Sequence, residues 1–197
     1  MNMNAHGNLS NIKRFYTDEE YDAIVKWALN IYPNGLPIKK ISEENRAAAK
    51  NNEKQWGNLM INQISNTQWT TKLGERIVHD VLVLRGESPR KPIKKEGYQP
   101  DWETDDYIYE VKTRNWTTTG TCGEKVLGTP YKYMDIPEIY GKPLRIVCVA
   151  YQEWELTNTN LRVFGELTAR KRAFIDYIES QDISYIKFSE LVKDIYT

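Results

Sequence analysis

Residues 144–151 read Leu-Arg-Ile-Val-Cys-Val-Ala-Tyr, a near-continuous run of strand-forming apolar side chains. A strand with one wet face alternates apolar and polar residues. A run without that alternation predicts a central strand covered on both faces. Helical patterns elsewhere can supply the cover. Thr17 to Glu20 form a capping box that opens a helix with an apolar face of Tyr21, Ile24, Val25, Ala28 and Ile31, ended by Pro33. Asn34-Gly35 with Pro37 predicts a turn. Ser42 caps a second helix that passes Arg46 and Ala47–Ala49, is broken or extended near Gly57, and reaches Ile64. Residues 66–71 link it to a third helix over 72–86, where Leu73, Ile77, Val81 and Leu84 recur at helical spacing and Gly86 is the stop. After the apolar run come an expected strand at 161–164, a helix at 167–178, a strand at 184–188 and a final helix capped by Ser189. Residues 1–12 are polar and Asn-rich, and read as an arm.

Residues 100–112 carry the chemistry: Pro-Asp-Trp-Glu-Thr-Asp-Asp-Tyr-Ile-Tyr-Glu-Val-Lys. The second half predicts a strand. Side chains alternate along a strand, so Glu110 and Lys112 share one face and Val111 points to the other. A turn at Thr104-Asp105-Asp106 folds Asp101 back beside Glu110. Two convergent carboxylates can hold a hard cation, and a neighbouring lysine can orient a water and offset phosphate charge. These are the needs of metal-assisted phosphodiester hydrolysis.

At Pro100, Asp101, Glu110 and Lys112 the chain resembles the PD-(D/E)xK nuclease superfamily. Gly74-Glu75, on the helix before the hairpin, resembles the acidic residue often found there in that superfamily. The resemblance implies an α/β fold: a mixed central sheet flanked by helices, restriction-endonuclease-like. An N-terminal helical arm (residues 1–70) would precede a nuclease core (71–197). It implies that Asp101 and Glu110 bind one or two Mg2+, with Glu75 a further partner, and that Lys112 activates water. Mn2+ is expected to substitute, and Ca2+ to bind without supporting cleavage. Hydrolysis would leave a 5′-phosphate and a 3′-hydroxyl. The read-out expected is a sequence-specific, type II restriction-like endonuclease acting on double-stranded DNA. The alternatives are a structure-directed nuclease (junction resolvase or repair enzyme) and an inactive DNA-binding module. A palindromic target would imply a homodimer, and a restriction enzyme would imply a cognate DNA methyltransferase in the same host.

The stretch after the motif is rich in Thr and Gly, and small residues let backbone approach a polyanion. Arg114, Lys125 and Lys132 supply positive charge, and Tyr131 and Tyr133 are interleaved with them. Asn115, Thr117, Thr118 and Thr119 carry groups able to read base edges. His79 sits one helical turn after Glu75, either near the site or as an ordinary half-buried histidine.

The 27 basic and 27 acidic residues leave no net charge, which argues against nucleic acid. The basic residues cluster, however, at Arg90, Lys91, Lys94 and Lys95 and at Arg170, Lys171 and Arg172, so a groove can be basic where the whole is not. Only two histidines are present, which disfavours histidine-metal nucleases, Ser-His-Asp hydrolases and His-rich zinc sites. Two cysteines do not suggest a disulfide framework. With no long apolar stretch and no signal peptide before residue 20, the expectation is a cytoplasmic protein of bacterial or viral origin without membrane association.

Overall fold

The computed structural model describes residues 16–31, 43–62, 68–118, 122–193 and 195. Four strands form one mixed sheet in the order β1-β2-β3-β4. β1 (Trp102–Glu103) pairs antiparallel with β2 (Ile108–Arg114), Trp102 facing Tyr109. β3 (Leu144–Ala150) runs parallel to β2, and β4 (Ile183–Lys187) runs parallel to β3. The chain is therefore α/β, and the apolar run is an inner strand, as expected. Every residue of β3 except Arg145 is buried. Arg145 lies 3.2 Å over the Tyr107 ring and donates to the Tyr109 hydroxyl at 3.4 Å, so its charge meets a π face rather than hydrocarbon.

Helices cover both faces. On one face Tyr109, Val111, Val147 and Val149 pack on α1 (Asp18–Ala28), α3 (Trp69–Leu84) and α9 (Phe188–Leu191). The other face carries two separate clusters. Ile108, Leu144 and Ile146 meet Tyr133, Ile136 and Tyr140, at and after the short helices α5 (Thr129–Lys132) and α6 (Ile136–Tyr140). Cys148 meets Val126 of α4 (Cys122–Leu127), Leu156 of α7 (Tyr151–Asn158), and Ile175 and Ile178 of α8 (Ala169–Ser180).

α2 (Glu43–Met60) packs on α3 and runs unbroken through Gly57. A Cβ at Gly57 would fall 2.1 Å from the Trp69 ring, so only glycine permits this approach. Trp27, Trp56 and Trp69 meet there with ring centroids 5.7–6.3 Å apart. Ile24, Val25, Trp27 and Met60 belong to the same apolar cluster as Val147 and Phe188. α1 and α2 thus share their core with the sheet.

The Thr17–Glu20 capping box is present as expected. Other local expectations shift. Leu161–Phe164 is not a strand: the Val163 and Phe164 N–H groups both donate to the Leu156 carbonyl, folding the segment onto the end of α7. Its apolar side chains pack without a sheet partner. α9 starts at Phe188, with Lys187 at the N-cap, so Ser189 lies inside the helix. Ser189 donates its N–H and hydroxyl to Glu153 instead. α3 starts at Trp69, which moves Glu75 from the first turn to the second and weakens its pull on the helix dipole. α1 ends at Ala28, leaving Ile31 outside it and 46% exposed. Residues 1–12, Pro33, the Asn34–Pro37 turn, Ser42, Ile64 and Asn66 lie outside the described residues. No helix among the described residues is long and apolar enough to cross a membrane.

Candidate active site

The β1–β2 hairpin brings the motif together. Thr104 N–H donates to the Tyr107 carbonyl at 2.9 Å and closes the turn. Asp101 then lies alongside β2, where its Oδ2 accepts the Val111 N–H at 2.7 Å. Glu110 and Lys112 project from the same face of β2, opposite Ile146 and Cys148, and their side chains form a direct ion pair. Those neighbours belong to different apolar clusters, so the pair sits in the seam between them. Glu110 is buried, and the Tyr133 hydroxyl stands beside it.

Burial pushes the Asp101 carboxyl up to about 7, and the nearby carboxylates of Glu110 and Glu75 push the same way. Both other sequence-derived carboxylates therefore act on Asp101. Glu75 stands furthest back: its Oε2 accepts from Lys91 Nζ at 3.2 Å, and that ammonium lies 4.0 Å over the Trp102 ring. Gly74 earns its place sterically. A Cβ there would fall 1.8 Å from Thr113 Oγ1, so α3 approaches β2 closely only because residue 74 has no side chain. His79 is turned to Asp80, with Nδ1 3.0 Å from its Oδ1, and to the Trp102 ring at 4.8 Å.

The donor set fits a hard divalent cation. Crowded carboxylates of like charge, one of them forced toward its neutral form, gain from a cation between them. Among the described residues no three His, Cys, Asp or Glu side chains are gathered as a ready-made metal cage. Mg2+ does not need one, since it commonly binds through one or two carboxylates and keeps several waters.

Beside the pair opens a cavity of about 390 Å3 lined by Lys112, Lys125, Gly128, Thr129, Lys132 and Gln152. Lys125 and Lys132 were expected near a polyanion, and both are exposed where they line the cavity; Tyr131 is exposed as well. Gln152 reaches the cavity because β3 turns straight into α7 at Ala150, whose φ of 59° and ψ of −133° are strained for a residue with a Cβ.

The segment expected to read bases mostly faces inward. Arg114 is buried, ion-paired with Glu155, and donates to the Thr118 carbonyl at 3.0 Å. Asn115 and Thr117 are buried and donate to Glu53 Oε2 of α2. Thr118 donates to Asn115 Oδ1. Burial of a polar side chain requires such partners, and here those partners consume the groups that base edges would need. Thr119 lies outside the described residues. The basic cluster before the motif is similarly engaged: Arg90 pairs with Glu103 and Asp105, and Lys95 donates to the Ile139 carbonyl.

Glu53 and Glu155 were missed from sequence. Glu53 carries a chemical consequence. Burial pushes the Glu53 carboxyl from its ordinary 4.5 up to about 7. The folded state then holds a proton that the unfolded chain has already released. Stability attributable to Glu53 is full below about pH 4.5 and falls as pH rises through about 7. The slope approaches about 1.4 kcal/mol per pH unit in that window. Asp101 acts with the same sign, so the check is a difference. Urea denaturation from pH 4.5 to 8 should show a shallower fall for Glu53→Gln than for the wild type, and parallel curves would refute the assignment.

No family model, no curated protein and no solved structure matches the chain.

Proposed function

We propose that the chain is a Mg2+-dependent phosphodiester hydrolase acting on DNA. The observation that carries the reading is the placement of Asp101, Glu110 and Lys112 on one hairpin, with Lys112 also lining a cavity shared with Lys125 and Lys132. Carboxylates for a cation lie on one side and ammonium groups for a phosphate on the other. In this reading Asp101 and Glu110 hold the metal, with Glu75 behind them. A bound Mg2+ would polarise the phosphate and lower the pKa of a water. Lys112 leaves its pairing with Glu110 to orient the attacking water, and Lys125 and Lys132 draw the backbone phosphate into place. The Asp101–Val111 hydrogen bond fixes one carboxylate oxygen.

The sequence pattern favours a site-specific endonuclease of the type II restriction kind, working as a homodimer on duplex DNA. The inward engagement of Arg114, Asn115 and Thr117 supports a second reading, a nuclease that recognises strand ends or DNA shape. Digestion of long unmethylated duplex DNA in Mg2+, followed by sequencing of the fragment ends, separates the two. Discrete fragments sharing one short motif support the restriction enzyme. Cutting confined to branched, damaged or terminal DNA supports the second. No cutting of any substrate overturns the hydrolase and leaves a DNA-binding module of the same architecture.

A further inference from the structure

We propose that the cavity beside Lys112 binds a terminal phosphate monoester, carried by a nucleotide or by the end of a strand. The choice of a nucleotide ligand rests on the hydrolase reading; the choice of a monoester rests on the cavity. Among the described residues, three lysines line it and no carboxylate does. Lys112 spends its charge on Glu110. Lys132 Nζ donates at 3.1 Å to the Tyr133 hydroxyl, an acceptor that leaves its charge uncancelled. Lys125 and Lys132 therefore bring two positive charges to one concavity. An internal phosphodiester carries a single negative charge, whereas a phosphate monoester carries about −1.5 to −2 at neutral pH. The monoester is the better match.

The walls agree. Thr129 and Gln152 are 4% and 1% exposed, so packing holds their polar groups in place. Gln152 is further fixed by donating to Glu155 Oε2 at 3.2 Å, and Glu155 is held by Arg114. Gly128 keeps one wall low, with the nearest atom to a Cβ there being the Lys125 carbonyl oxygen at 3.6 Å. The volume of about 390 Å3 exceeds what a bare anion needs. It falls within the roughly 300–1,000 Å3 of small-molecule sites, enough for a nucleotide-sized group.

The test compares three versions of one DNA decamer, with a 5′-phosphate, a 3′-phosphate or neither, binding to the full chain in EDTA. At least one phosphorylated decamer should bind tenfold or more tightly than the unphosphorylated one. Inorganic phosphate should compete. The preference should vanish in Lys125→Ala/Lys132→Ala and shrink in Lys125→Glu; both positions are exposed, so the melting temperature should not move. Equal binding of all three decamers, or a preference that survives the double variant, overturns the proposal. Because no metal is present, the outcome is independent of cleavage. A phosphate preference in a protein that never cuts DNA would sink the hydrolase reading alone. Cutting in Mg2+ without any phosphate preference would sink only this one.

Discussion

Lys112→Ala should lower DNA cleavage by about 10²–10⁴-fold, the range over which a positioned proton-transfer group contributes. Binding of uncut duplex, measured in Ca2+, should change only a few-fold. The split follows from where the side chain sits. Lys112 is half-buried and tied to Glu110, while Lys125 and Lys132 are exposed where they line the cavity. Loss of one of three cavity lysines weakens attraction to the backbone modestly. Loss of the group beside the carboxylates removes what orients the water. Lys112→Arg should not restore the rate, because a broad planar guanidinium does not replace a compact ammonium in that seam. Cleavage by Lys112→Ala at near wild-type speed would remove the motif from the argument.

Arg114→Ala should destabilise the protein by about 3–5 kcal/mol, the usual result of breaking a buried ion pair from one side. For a chain of this length that corresponds to a fall of roughly 6–20 °C in melting temperature. Glu155 would be left buried with Gln152 as its remaining partner. Arg114 also anchors the Thr118 carbonyl and lies 5.3 Å over the Tyr151 ring, so the loop leaving β2 loosens with it. The companion variant Arg114→Met/Glu155→Leu should recover much of the loss, because apolar residues of similar volume often replace a buried pair without penalty. If Arg114 were a DNA contact on the surface instead, the single substitution would weaken DNA binding and leave the melting temperature within a degree or two. Calorimetry of the two variants decides between these outcomes.

The parts of the molecule legible in sequence were those written in local pattern. The apolar run at 144–151 marked an inner strand, the Thr17–Glu20 signature marked a helix start, and alternation along 107–112 put Glu110 and Lys112 on one face. Each depends on neighbours a few residues apart. What escaped depends on residues far apart in the chain. Asn115 and Thr117 look like free polar groups until Glu53, more than sixty positions upstream, is packed against them. Arg114 looks like a DNA contact until Glu155 arrives from α7. Leu161–Phe164 has a strand's composition, but the Leu156 carbonyl near the end of α7 takes the N–H groups of Val163 and Phe164. Gly74-Glu75 was noticed for its acid, whereas the structure gives the glycine a role of its own in letting α3 approach Thr113.

The two faces of β2 make the hairpin intolerant of small changes in length. Val111 is buried beneath α3 while Lys112 opens to the cavity, and strand alternation allows no intermediate. Deleting one residue from β2 would send the lysine into the tryptophan-lined interior and turn a valine toward the cavity, so folding and the proposed chemistry would fail together. At the tip the situation reverses: Asp105 and Asp106 are exposed. An inserted residue there lengthens the turn and leaves both strands in step. Natural variation in this chain should therefore accumulate as length changes at the tip and as like-for-like exchanges along the strand.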